Sequence, residues 1–132
     1  MRYLLDTNVF IAAIKGAPAV RRRLEQLPLD ALLLSPVVLG ELSLGVEKSA
    51  YPVRNAARLE AVTRELELAP IDGEVAHHYA EIRAFLEQQG TPIGANDYWI
   101  AAQARAIGAV TVTANEAEFR RVPGLAVENW LR

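Results

Sequence analysis

Three short apolar runs, each cut off by polar or turn-forming residues and separated by stretches of helical periodicity, constrain this chain more than any other feature. Tyr3-Leu4-Leu5, inside the run from Arg2 to Asp6, is too short for a helix and ends at the polar Asp6-Thr7-Asn8. A brief apolar run of this kind suits a strand buried on both faces. Ala31 to Leu34 reads the same way, and Ala109 to Thr113 adds a β-branched third strand.

Between the strands the signals are helical. One helix is expected from about Thr7 to Lys15, stopped by Gly16, and Pro18 opens a second through Arg23 to Leu27. Ser35 as N-cap and Pro36 at the first helical position start a third, running to about Ser49. Leu59, Val62 and Leu66 mark a helix from about Val53 to Glu67, and Val75, Tyr79, Ile82 and Leu86 repeat that spacing in the next. Leu68 to Ile71 is a brief strand or a connector. After a turn from Gly90 to Gly94, a helix from about Asn96 to Ile107 ends at Gly108. A short acidic helix around Glu116 and a last strand near Leu125 to Val127 complete the chain. The alternation predicts one α/β domain over residues 1–132, a central, mainly parallel sheet with helices on both faces. In such sheets the ligand crevice lies beyond the carboxyl ends of the strands, at the topological switch point.

Composition removes several functions. The 14 Lys and Arg against 16 Asp and Glu give a net charge of −2, which does not favour nucleic-acid binding by bulk phosphate neutralisation. Cysteine is absent, which excludes disulfides, thiolate zinc sites and a cysteine nucleophile. No uncharged apolar stretch is long enough for a membrane span, and Asp6 and Asn8 interrupt the apolar amino end, so a cytoplasmic location is expected.

Three acids stand in unusual company. Asp6 follows the first strand, where it serves either as an N-cap or as a group in the switch-point crevice. Glu41 has Val37, Val38, Leu44 and Gly45 as its helical neighbours, an apolar face on which a carboxylate needs a cation, a metal or several donors. Asp97 opens a helix whose next residues are nearly all apolar; if Asn96 caps that helix, Asp97 is released for other work. An all-oxygen cluster of such acids is the donor set that Mg²⁺ or Mn²⁺ prefers.

These residues carry a family resemblance. Leu4-Leu5-Asp6-Thr7-Asn8, the helix with Glu41, Leu42 and Gly45, Ile93-Gly94 to Asp97 with Ile100-Ala101-Ala102, and Thr113 through Asn115, Glu116 and Glu118-Phe119 to Trp130 resemble the PIN-domain ribonucleases. Among these the chain is most similar to the VapC toxins of type II toxin–antitoxin modules, over essentially its whole length. The resemblance implies Asp6 and Asp97 as principal Mg²⁺ ligands, with Mn²⁺ as a substitute, and Glu41 as the third acid. The fourth acidic position is met by Asn115, with Glu116 and Glu118 nearby; Glu118 is favoured because it precedes Phe119. Thr7, Asn8, Thr113 and Asn115 are expected to orient carboxylates or a phosphate. The implied activity is endonucleolytic RNA cleavage by a metal-activated water, leaving 5′-phosphate and 3′-hydroxyl ends. The implied partners are a VapB-like antitoxin lying along a groove, an RNA substrate and a second copy of the chain in a homodimer.

Other features are read more plainly. Arg21-Arg22-Arg23, Arg54, Arg58 and Arg64, and Arg120-Arg121 are either solvated faces or local guides for RNA. Of Tyr98 and Trp99, Trp99 is expected in the core beside Ile100. His77 and His78 diverge on their helix and receive no chemistry. Gly40 and Gly45 each cost a helix about 1 kcal/mol, which close approach of another backbone would justify, and apolar surface at Leu39, Leu42 and Leu44 is the expected contact. Two rival readings are an aspartyl-phosphate enzyme, disfavoured because the only lysines are Lys15 and Lys48, and a non-catalytic PIN-like module that binds RNA or protein.

Overall fold

A computed structural model describes residues 1–131. Five strands, β1 (Tyr3–Leu5), β2 (Leu32–Leu34), β3 (Glu67–Leu68), β4 (Val110–Val112) and β5 (Ala126–Glu128), form one sheet in the order β3-β2-β1-β4-β5. Every neighbouring pair is parallel, with Leu4 opposite Leu33 on one side and opposite Thr111 on the other. The three central strands are nearly all buried, as their unbroken apolar runs require. The chain moves outward from β1 through β2 to β3 and then returns to β4 on the opposite side. The order therefore reverses between β1 and β4, and the crevice lies beyond the ends of those two strands.

The helices among the described residues are α1 (Thr7–Ile14), α2 (Pro18–Glu25), α3 (Pro36–Glu47), α4 (Pro52–Thr63), α5 (Gly73–Gln88), α6 (Ala95–Ile107) and α7 (Glu116–Phe119). Ser35 caps α3 by accepting the Val37 N–H at 3.1 Å, with Pro36 at its first position. Gly108 closes α6 with a left-handed φ of 70°, which a side chain would resist. Helix α6 is the innermost: Ile100, Ala101, Ala102 and Ala104 are completely buried, and their small size lets the helix sit close to its neighbours.

Boundaries differ from the sequence reading where tertiary pairing decides them. Helix α4 stops at Thr63 rather than Glu67, because Glu67 and Leu68 are taken into β3 opposite Leu33 and Leu34. The last strand is shifted one residue onward to Ala126–Glu128 by its pairing with β4. Tyr98, not Trp99, is the core residue: its hydroxyl accepts the Ile93 N–H at 3.2 Å, while Trp99 lies half-buried, stacked on Tyr79 with ring centroids 3.8 Å apart. Trp130 pins the carboxyl end by packing on Tyr3, lying under the Arg23 guanidinium and donating to Glu128 Oε1 at 2.9 Å. No described helix is long and apolar enough to cross a membrane.

Candidate active site

The crevice is built from the ends of β1 and β4 and from helices α1, α3, α6 and α7. Asp6, at the end of β1, has its backbone N–H bound to the Val112 carbonyl of β4 and its own carbonyl inside the first turn of α1. Its carboxylate is buried, with one oxygen accepting the Thr7 N–H at 2.8 Å and the other accepting the Thr113 hydroxyl at 2.8 Å. Asp6 is thus both the N-cap of α1 and a crevice group, so the two readings of the sequence do not compete.

Thr113 does more than donate. Its hydroxyl oxygen accepts the Asn115 N–H at 2.9 Å, which leaves its proton directed at Asp6. The Thr7 hydroxyl donates to Glu41 Oε1 at 2.9 Å, tying α1 to α3. The Asn8 side-chain oxygen accepts the Ala114 N–H at 3.1 Å, so that oxygen braces the loop after β4 rather than facing a ligand. Asn115 precedes α7 at its N-cap position without a side-chain capping bond.

Asp97 lies in the first turn of α6, whose N-cap is Gly94 rather than Asn96; Asn96 is exposed and already inside the helix. A side chain at Gly94 would place its Cβ 3.1 Å from an Asp97 oxygen, so the glycine makes room for that carboxylate. Burial, and then the charges of Asp6, Glu118 and Glu41 in that order, push the Asp97 carboxyl from 3.8 up to about 6. Three acids remote in sequence, Asp6, Glu118 of α7 and Glu41, therefore lie near enough to Asp97 for their charges to act on it. Glu41 is half-buried rather than enclosed, since Leu44 beside it is 54% exposed. Leu42 is buried and Leu39 half-buried, so of the three leucines expected at a contact surface only Leu44 is largely free.

The donor chemistry suits a hard divalent cation: carboxylate oxygens, crowding that a positive charge would relieve, and no sulfur. Among the described residues, no three acidic or histidine side chains are already gathered as a metal-holding group. Asp6 and Glu41 each direct an oxygen to a threonine hydroxyl, those of Thr113 and Thr7.

A trough adjoins Glu41. One cavity of about 320 Å³ runs between α1, α3 and α4 from Glu41 past Lys15, Gly45 and Arg58. A second, of about 520 Å³, continues past Ile14 and Arg58 to Arg21 and Leu24 of α2. A Cβ at Gly40 or Gly45 would meet nothing within 4 Å, so neither glycine is required by packing within this chain.

A doubly wound parallel sheet with carboxylates at its switch point places the chain in the α/β class, with an acidic crevice where such folds bind their ligands. The PIN domain family pattern matches residues 3–125. The chain is 41% identical over 130 residues to the tRNA(fMet)-specific endonuclease VapC of Shigella flexneri, covering 98% of each chain, and 39% identical over 132 residues to ribonuclease VapC2 of Rickettsia felis, again covering 98% of each. Among solved structures it superposes on the VapBC2 complex of Rickettsia felis bound to promoter DNA with a TM-score of 0.91 and 38% identity, covering 98% of this chain and 99% of that one. DNA-bound VapBC of Salmonella typhimurium gives a TM-score of 0.91 and 40% identity, covering 98% of both. The chain belongs to the PIN-domain nucleases and, within them, to the VapC ribonucleases of toxin–antitoxin systems.

Proposed function

We propose that this protein is a Mg²⁺-dependent endoribonuclease toxin of a single PIN-like domain, in which Asp6 and Asp97 hold the cation, Glu41 completes the set and Glu118 adds a fourth acidic group. The observation that carries the reading is the convergence of the other three carboxylates on Asp97 in a chain of the VapC family. Mg²⁺, or Mn²⁺ in its place, would neutralise the acids, polarise a phosphate oxygen and lower the pKa of water. The protein's own residues do the positioning. Thr113 holds Asp6 in one rotamer, Thr7 does the same for Glu41, and Asn8 with Asn115 fixes the loop that carries Thr113. These bonds orient the carboxylates before substrate arrives, which lowers the cost of ordering them during reaction.

The substrate class is RNA, and initiator transfer RNA is the first candidate because the Shigella relative is named for it. The partner is a VapB-like antitoxin, which the complexes named for similar structures support; its segment would lie in the trough from Arg21 to Glu41. The working form is a homodimer in the cytoplasm. Incubation of the purified chain with transfer and ribosomal RNAs, with and without Mg²⁺ or Mn²⁺, tests the reaction. Cleavage should need the cation, leave 5′-phosphate ends and disappear in Asp6→Asn and Asp97→Asn. Metal-dependent cutting that survives both substitutions would overturn the site, and binding without cutting would favour a non-catalytic module.

A further inference from the structure

Gln103 is the one large polar side chain in the buried stretch Ile100-Ala101-Ala102-Gln103-Ala104, and it is 1% exposed. Its amide nitrogen donates to the carbonyls of Ala69 at 3.1 Å and Pro70 at 3.2 Å, just beyond β3. Its oxygen accepts the Ser35 hydroxyl at 2.5 Å. Only one arrangement satisfies these groups. Carbonyls only accept, so the nitrogen must face Ala69 and Pro70; the Val37 N–H donates to the Ser35 oxygen, so the Ser35 proton points to Gln103. A buried amide satisfied in only one orientation specifies geometry where an apolar side chain would tolerate sliding.

The bridge joins the two helices that carry acids. Ser35 caps α3, and six residues further along that helix is Glu41; Gln103 is in α6, and six residues back is Asp97. Six helical residues rise about 9 Å, so a single contact fixes each acid at the same distance along its own helix. We propose that Gln103 is a positioning residue: its bridge to Ser35, Ala69 and Pro70 keys α3 against α6 and thereby sets the spacing of Glu41 and Asp97. This rests on the reading of those two acids as parts of one cation site.

The test uses the whole chain. Isothermal titration of Mn²⁺ without RNA should show binding at least about tenfold weaker in Gln103→Leu, the scale seen when residues that orient metal ligands are lost. RNA cleavage should lose kcat with KM unchanged. Ile82→Val, a core change in α5, serves as the control for general loosening and should bind Mn²⁺ as wild type does. If Gln103→Leu does not fold, Ser35→Ala cuts the bridge at its α3 end, leaving Gln103 bound to Ala69 and Pro70 and removing the cap on the Val37 N–H as well. A second readout is independent of metal: because the chain has no cysteine, spin labels on Ser43→Cys of α3 and Ile107→Cys of α6 report the helix spacing directly. A shifted or broadened distance in Gln103→Leu supports the key. Wild-type distance together with wild-type Mn²⁺ affinity overturns it. A wild-type chain that binds no divalent cation would overturn the metal reading, and the spin-label distance would still decide the key.

Discussion

Replacing Asp97 by asparagine should make the cation-free protein more stable while destroying its activity. The carboxyl is pushed from 3.8 up to about 6 by burial and by Asp6, Glu118 and Glu41. Ionising it in the folded chain therefore costs about 3 kcal/mol more than in the unfolded chain, taking about 1.4 kcal/mol for each tenfold change. Partial solvent screening lowers that figure, and asparagine forfeits about 0.3–1 kcal/mol of interaction between a first-turn acid and the helix dipole. The net gain for Asp97→Asn at pH 7.5 is about 1–2 kcal/mol, or roughly 5 °C in Tm for a domain of this size.

The sign with pH follows from linkage. Because the folded value lies above the unfolded one, the contribution of Asp97 to stability is present below about pH 4 and is lost as pH rises through about 6. Asparagine suffers no such loss, so the advantage of the variant should open between pH 4 and 6 and stay level above. Thermal melts in a chelating buffer at pH 4, 5, 6 and 7.5 measure this directly. Added Mg²⁺ or Mn²⁺ should then stabilise the wild type and leave Asp97→Asn nearly unmoved, because ligand binding stabilises only the form that binds it. A variant less stable than wild type at pH 7.5, or an advantage equally large at pH 4, would refute the reasoning.

Other outcomes follow from single contacts. Thr113→Val removes the donor to Asp6 and the acceptor of the Asn115 N–H; urea unfolding should show a loss of about 1–3 kcal/mol, and Mn²⁺ titration a weakened affinity. Gly45→Ala meets open space, so Tm should rise by an amount equivalent to at most about 1 kcal/mol, with RNA cleavage unchanged. Trp130→Ala strips the partner of Tyr3 and Arg23 at the carboxyl end and should cost about 3–5 kcal/mol in denaturant unfolding. Treatment with EDTA should abolish cleavage, and Mg²⁺ should restore it in the same sample.

The sequence by itself determined most of the elements and their order. Unbroken apolar runs such as Leu32-Leu33-Leu34 have no polar face to offer solvent, so they must become central strands, and an alternation of such runs with helices has few folds open to it. Asp6, Glu41 and Asp97 were legible as acids that local packing does not explain, and capping residues such as Ser35 and Gly108 announced themselves. Only the tertiary structure decided what depends on contacts between distant residues. The pairing with Leu33 and Leu34 turned Glu67 and Leu68 from helix to strand, and the placement of α6 sent Tyr98 rather than Trp99 into the core. Glu118 acts on Asp97 from a separate helix, and Asn8 turned out to brace the β4 loop. Gln103 is the clearest case. Its sequence context marks only a polar residue among alanines, because hydrogen-bond partners 34 and 68 positions away leave no local periodicity to read.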